Sequence, residues 1–330
     1  MTSTSRPRNG SSIATPGNFW ASGMEHDMTQ CLVTGLRGIE IGVPDLELAA
    51  RFYADTWHLT ELTRRPEKVY FRGTGAAHHI LTLTQSDRAD VRAIEFSVAE
   101  VEHLDTIAAQ VAQNGGTVLS GPEPTTMPGA GTLLEVLDPQ GRTLRFIAGG
   151  RSHADTEAVK DHPIKITHVV LNSENVALAQ AFFENALGFR LSDRTRIMAF
   201  MRCCTDHHSI ALADAQENSL NHIAFVMPDL DSVMRGGGRM NDAGYPIEWG
   251  VGRHGPGNNV FAYFLGPFEF VIEYTAEVQQ VDETYRTGGP DDWKWPPGRI
   301  DQWGVGRNPS DRLKAAQRTI LFRAPQPESR

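Results

Sequence analysis

The sequence predicts an α+β fold of two tandem domains, each made of two βαβββ modules that form a cupped, mostly antiparallel sheet. Three observations carry this expectation. The chain repeats itself at a nearly constant spacing. Each copy opens as strand, polar turn and amphipathic helix. The segments that follow alternate with the two-residue period of strands. With 330 residues, 40% hydrophobic and 22% charged, there is enough chain for two ordinary globular domains.

The repeat can be read directly. LRGIEIGVPDLELAARFY, from Leu36 to Tyr53, aligns with ITHVVLNSENVALAQAFF, from Ile166 to Phe183. AAHHILTLT aligns with TDHHSIALA, VRAIEFSV with LNHIAFVM, and DPQGRTLRFIA more loosely with GPFEFVIEYTA. The offset drifts from 130 (Gly38 to His168) through 129 (His79 to His208, Ala93 to His222) to 128 (Arg145 to Glu273). So small a drift over a whole domain indicates duplication.

Taken in order, residues 1–34 read as a disordered extension, rich in Ser, Thr, Gly and Asn, with Met24 and Met28 as alternative starts. They lack the continuous apolar stretch of a secretory signal. Their Arg-bearing, acid-poor composition also fits a transit peptide, but no amphipathic helix pattern supports that. Residues 35–150 form the first domain and 151–163 a polar linker. Residues 164–280 form the second domain, and 281–330 a tail rich in Pro, Gly and Trp. In the second domain, strands are expected near 165–171, 197–203, 208–213, 221–226, 259–264 and 269–274, with helices near 175–186 and 229–242. Apolar spacing of three and four, as in Val176, Ala179 and Phe183, marks the first helix. Trp293, Trp295 and Trp303 suggest a tail that packs on the body.

Composition narrows the function. The net charge is -9 and no basic block could track a phosphate backbone, which argues against nucleic acid. No apolar run approaches the roughly 18 residues that a membrane helix needs. Cys31, Cys203 and Cys204 are too few and too unevenly placed for a disulfide framework. The vicinal pair reads better as small apolar residues closing the strand MAFMRCC than as a redox centre. A cytoplasmic setting fits this cysteine usage.

The chemistry lies in the second half. His168 and His222 fall in the first strands of successive modules, and Glu273 falls in the last strand. A shared curved sheet lets the three converge. Two imidazoles and one carboxylate on one face of an octahedral ion leave three positions open, the arrangement of non-haem Fe(II) oxygenases. Any one of these histidines could equally be a hydrogen-bonded core residue. Glu273 is harder to explain that way, because an unpaired charge inside a sheet is costly. The first half provides a control: Gly38, Ala93 and Arg145 stand at the matching positions, and none is a usual ligand. His254 in GRHGPGNNVFAYF could be a loop histidine and Tyr263 a core aromatic. The HH pair also recurs at His78 and His79, where no metal is expected.

In this order and spacing, THVVLN, DHHSIAL, LNHIAF, GRHGPGNNVFAYF and FVIEYTAE resemble the type I extradiol ring-cleaving dioxygenases of the vicinal oxygen chelate superfamily. The resemblance covers Leu36 to Glu277. It implies Fe(II), or Mn(II), held by His168, His222 and Glu273. It implies His208 as the acid–base histidine, with His254 and Tyr263 beside it at the site. The interval from His208 to His222 is one residue shorter than in the biphenyl-diol enzymes, so His207 stays a rival to His208. The partners implied are a small aromatic diol and O2, and a homo-oligomer is implied for the assembly. GRHGPGNN, EYTAEVQQVDE and DQWG are most similar to enzymes acting on dihydroxylated aromatic acids such as 2,3-dihydroxy-p-cumate, and Arg253 near the site agrees with an acidic ring. The rival readings are a glyoxalase-like isomerase or thiol transferase on the same fold, and a binding protein of the bleomycin-resistance kind. The missing ligands of the first half argue against a site shared between domains.

Overall fold

The computed structural model describes residues 31–324. Of the extension expected over 1–34, residues 1–30 lie outside the described residues, while Val33 and Thr34 already belong to the first strand.

The first half runs β1 (Val33–Val43), α1 (Leu46–Arg51), β2 (Thr60–Arg65), β3 (Lys68–Arg72) and β4 (Leu81–Gln85). It continues as β5 (Asp90–Val98), α2 (Glu102–Gln113), β6 (Thr117–Pro124), β7 (Thr132–Leu137) and β8 (Thr143–Ala148). The second half repeats this as β9 (Lys165–Ser173), α3 (Val176–Leu187), β10 (Arg190–Arg194), β11 (Met198–Arg202) and β12 (Ile210–Asp214). Its second module is β13 (Ser219–Val226), α4 (Leu230–Asp242), β14 (Trp249–Arg253), β15 (Val260–Leu265) and β16 (Val271–Ala276). The sheet orders correspond: β2-β3-β4-β1-β5-β8-β7-β6, and β10-β11-β12-β9-β13-β16-β15-β14. In each sheet the two modules meet through one central antiparallel pair, β1 with β5 or β9 with β13. Within each module one pair is parallel, as in β9–β12 and β13–β16, and the rest are antiparallel.

Local chemistry fixes these elements. The side chain of Asn175 accepts from the Leu178 N–H at 3.0 Å and caps α3. Val176, Ala179, Phe182, Phe183, Ala186 and Leu187 form its buried face, and Gly188, at φ 71°, ends it in the left-handed region. One continuous core fills the space behind both sheets. Trp57, fully buried just after α1, stacks on Tyr274 of β16 with ring centroids 3.6 Å apart, and the Tyr274 hydroxyl donates to its carbonyl at 3.0 Å. Such a pair contributes about 0.5–1.5 kcal/mol beyond its buried area, and it joins one half to the other.

Besides the edge strands β10 and β14, two short elements near the C-terminus escaped the sequence reading. The chain beyond residue 310 forms α5 (Asp311–Ala316) and β17 (Ile320–Leu321), and β17 pairs with β13 as an extra strand. Leu313 and Ala316 of α5 pack against Phe261, Tyr263, Leu265 and Val271 on the face of the second sheet away from the main core.

In the first sheet the corresponding face is filled by charge. Glu95 pairs across to Gly38 and to Arg145, and Arg145 pairs to Glu135. The Arg145 guanidinium bonds Glu40, reaches Glu135 at 2.5 Å and stands 3.5 Å from Glu95. Burial would push the Glu40 carboxyl up, but Arg145 and Lys68 outweigh it and hold the group ionised far below the usual carboxylate range. Arg145 thus supplies, from within the chain, the positive charge that this face needs. Arg145→Met should destabilise the fold by about 3–5 kcal/mol, because it leaves Lys68 alone to balance Glu40 and the neighbouring Glu95 and Glu135. Urea unfolding reads this, and a loss under 1 kcal/mol would mean the carboxylates find water or protons instead.

Candidate metal centre

Register alone brings the site together. Ala224 of β13 pairs with His168 on one side and with Glu273 on the other, and Glu273 pairs with Tyr263, which pairs with Trp249. These five residues cross the sheet in one row. His222 sits two residues from Ala224 on the same face, and the small Ala224 methyl lets the larger side chains lean together. Nε2 of His168 and Nε2 of His222 lie 3.3 and 3.2 Å from Oε2 of Glu273. All three residues are buried, with Glu273 fully so.

The donor set fits a divalent ion. The three candidate ligand atoms lie within 4.8 Å of one another. Oε2 of Glu273 is buried without a hydrogen bond of proper geometry, which is costly unless something else satisfies it. The Nδ1–H of His222 donates to Asn221 Oδ1 at 2.9 Å, which leaves Nε2 free as a ligand atom. Gln317, just beyond α5, donates to the same oxygen at 2.9 Å, so the C-terminal segment helps hold this ring. Asn259 donates to Glu273 Oε1 at 3.4 Å. Burial acts to raise the Glu273 pKa, but His168 and His222 outweigh it and keep the carboxyl ionised well below its ordinary range.

The other residues singled out from the sequence gather around this centre. The His208 ring lies 4.2 Å from that of His168, and His254 Nε2 is 3.0 Å from the Tyr263 hydroxyl. That hydroxyl is 3.5 Å from His222 Nε2. His254 stacks on Phe261 at 4.0 Å. Gly257, at φ 81°, lies so close to His208 that a Cβ there would sit 3.1 Å from its Cε1. Burial, and then the neighbouring imidazoles, push the His208 pKa well below the histidine value, and burial lowers that of His254 to about 4.

These shifts set a pH dependence. An unfolded histidine takes up a proton near pH 6.5, whereas folded His254 and His208 do so only at lower pH. The unfolded chain therefore binds more protons below about 6.5, and stability falls as pH drops from there toward 4. Urea midpoints of the metal-free chain should decline steadily over that window. A flat profile would show that these rings titrate normally.

Several local expectations need correction. The strand of MAFMRCC ends at Arg202, so Cys203 and Cys204 lie in the bend beyond it. His208 precedes β12 by two residues and lies in a loop, not at a strand start. His207 is therefore not simply turned to the opposite sheet face. It is fully buried, with Nε2 2.7 Å from Asp193 Oδ2 and Nδ1 3.1 Å from His208 Nδ1. Arg253 is already engaged by Glu277, Asn258 and the Trp303 ring. Asp193, Asn221, Asn259 and Gln317 were not anticipated. The repeat was the available signal for Asp193, because Thr63 stands in its place in the first half.

Residues 35–146 and 165–274 each match the Glyoxalase/Bleomycin resistance protein/Dioxygenase superfamily. The chain belongs to this superfamily. Among curated members, Metapyrocatechase 2 of Cupriavidus necator is 30% identical over 79% of this chain and 86% of its own length. The manganese-dependent 2,3-dihydroxybiphenyl 1,2-dioxygenase of Geobacillus genomosp. 3 is 24% identical over 69% and 80%. Among solved members, a Mn(II)-bound glyoxalase from Novosphingobium aromaticivorans superposes with a TM-score of 0.78 at 31% identity, covering 89% of this chain and 95% of that one. The homoprotocatechuate 2,3-dioxygenase of Arthrobacter globiformis gives a TM-score of 0.79 at 23% identity over 91% and 97%, which speaks for the fold. No helix among the described residues is long and apolar enough to cross a membrane.

Proposed function

We propose that this superfamily member is an extradiol dioxygenase that cleaves a catechol-type ring with O2, and that its metal lies only in the second half. One observation carries the reading. A two-histidine, one-carboxylate set is flanked by further polar groups, His208 and the His254–Tyr263 pair, that a binding protein would not need. His168, His222 and Glu273 would hold Fe(II), or Mn(II), which when bound supplies the electronic link between an electron-rich diol and O2.

The remaining steps belong to the chain's own side chains. His208 starts as a free base, since burial keeps its ring neutral near pH 7. It takes a hydroxyl proton from the diol and returns it when the O–O bond breaks. The His254–Tyr263 pair orients the substrate. The ring opens beside the diol, and both oxygen atoms enter the product, a semialdehyde of the muconic type or a related keto acid. We assign residues 164–280 as the catalytic domain and 35–150 as a metal-free partner domain joined by 151–163. The superfamily resemblance supports a homo-oligomer, and the sparse, odd cysteine usage of the sequence supports the cytoplasm.

The test is O2 consumption and product absorbance over a panel of substituted catechols, after anaerobic reconstitution with Fe(II) or Mn(II). Hemithioacetal isomerisation is assayed in parallel, because the glyoxalase relative favours that second reading. Isomerisation without catechol-dependent O2 uptake would overturn the proposal. Within the panel, single-ring diols, above all dihydroxybenzoates, should turn over faster than 2,3-dihydroxybiphenyl. Phe200, Trp249, Phe261 and Tyr263 crowd the site face and favour a small ring. The preference for an acid rests on the sequence resemblance, since the Arg253 guanidinium is taken by Glu277. Faster turnover of the biphenyl diol would refute the size argument.

A further inference from the structure

Behind the metal centre lies a second buried polar chain. Asp193 is fully buried in β10, and both of its oxygens accept. Gly288 N–H donates to Oδ1 at 2.7 Å, the Tyr285 hydroxyl donates to Oδ2 at 3.1 Å, and His207 Nε2 meets Oδ2 at 2.7 Å. With donors on every side the carboxylate acts only as an acceptor, so His207 Nε2 carries the hydrogen. With a single hydrogen on the His207 ring, placed at Nε2, its Nδ1 presents a lone pair. His208 Nδ1, 3.1 Å away, must be the donor. Its hydrogen is thereby committed to His207, and Nε2 of His208 is the nitrogen left with a lone pair.

The duplicated half shows what is specific here. His78 and His79 have the same Nδ1 to Nδ1 spacing of 3.1 Å. The position of Asp193 is matched by strand register: Asp193 pairs with Phe200 as Thr63 pairs with Tyr70, each just after a register shift. The paired histidines are therefore common scaffold, and the carboxylate occurs only in the half with the candidate metal ligands.

We propose that Asp193, acting through His207, is a positioning residue that selects the His208 tautomer with hydrogen on Nδ1 and a free Nε2. This rests on the reading of His208 as the acid–base group. Asp193→Asn tests it with little change of shape. If the Asn oxygen keeps the Gly288 N–H, its NH2 faces His207 Nε2 and donates there. Both rings must then reverse, leaving hydrogen on His208 Nε2, where no proton can be accepted. In a Ser–His–Asp triad the same exchange selects the wrong tautomer and costs about 10,000-fold in kcat.

The experiment uses full-length chain with 15N-labelled histidine. Long-range 1H–15N spectra of the metal-free protein assign the tautomers of His207 and His208, and kcat, KM and iron content are measured on the iron-loaded protein with catechol. In Asp193→Asn we expect both tautomers to reverse and kcat to fall about 100-fold or more, with iron content and KM near wild type. Tyr285→Phe removes another donor to the same carboxylate and should leave the tautomers unchanged and kcat within a few-fold. Unchanged tautomers in Asp193→Asn, or an equal fall of kcat in Tyr285→Phe, would overturn the proposal. His208→Ala, run alongside, separates the two readings. Full turnover in His208→Ala defeats the acid–base assignment itself, whereas slow His208→Ala with normal Asp193→Asn defeats only the positioning role.

Discussion

Glu273→Ala should leave a folded chain that binds no stoichiometric iron or manganese and consumes no O2 with catechol. Glu273 supplies the only carboxylate of the candidate triad, and its Oε2 lies between the two Nε2 atoms at 3.2 and 3.3 Å. Without it, the ion would face two neutral rings in a buried site and keep its full charge. Loss of an outer partner of a metal ligand costs roughly 10- to 100-fold in affinity, and loss of the anionic ligand should exceed that. Thermal unfolding gives a second readout: metal at 100 times Kd stabilises the wild type by about 2.7 kcal/mol, and the variant should show no such gain. The first half contributes nothing to rescue it, because Arg145 occupies the position matching Glu273 and is paired to Glu40. Two equivalents of metal per wild-type chain, or full retention in Glu273→Ala, would defeat the single-site reading.

What the sequence disclosed follows from how its residues encode. β9, β13, β15 and β16 bury both faces or alternate cleanly, and α3 and α4 carry helical apolar stripes, so their limits were legible within a few residues. The edge strands were not. In β10 a register shift between Leu191 and Asp193 breaks the period of two, and the buried residues, Ser192 and Asp193, are polar. In β14, Gly252 is required because a Cβ there would stand 2.6 Å from the Phe261 ring. A glycine demanded by close approach reads in sequence like a turn. The triad itself was legible because duplication exposes substitution: Glu for Arg145, His for Ala93 and His for Gly38 stand out against a matched background. Gln317 did not, since its hydrogen bond to Asn221 joins residues 96 positions apart, and Asn221, although adjacent to His222, has no periodic pattern to mark it.

His208→Ala should keep its iron, bind catechol with near-normal affinity and open the ring about 100- to 10,000-fold more slowly. The geometry separates this residue from the ligands. Its ring lies tilted 4.2 Å from that of His168, while the three candidate ligand atoms form their own cluster without it. Nor does it brace the fold through charge, because burial and four neighbouring histidines keep it neutral near pH 7. Removing it leaves the sheet and the Glu273 contacts in place and takes away the imidazole assigned to proton transfer. The neighbour behaves differently from a simple reading of alternating strand faces. His207 is not a spare ring on the far side but the link between Asp193 and His208, so His207→Ala should also slow turnover, and it should cost stability because it strands a buried carboxylate. Iron content, catechol affinity, turnover and urea midpoint should be measured together for both variants. Slow turnover with an unchanged midpoint is expected of His208→Ala, and slow turnover with a lowered midpoint of His207→Ala. Loss of iron in His208→Ala would make that histidine a ligand, and a larger rate defect in His207→Ala at equal stability would move the proton chemistry to His207.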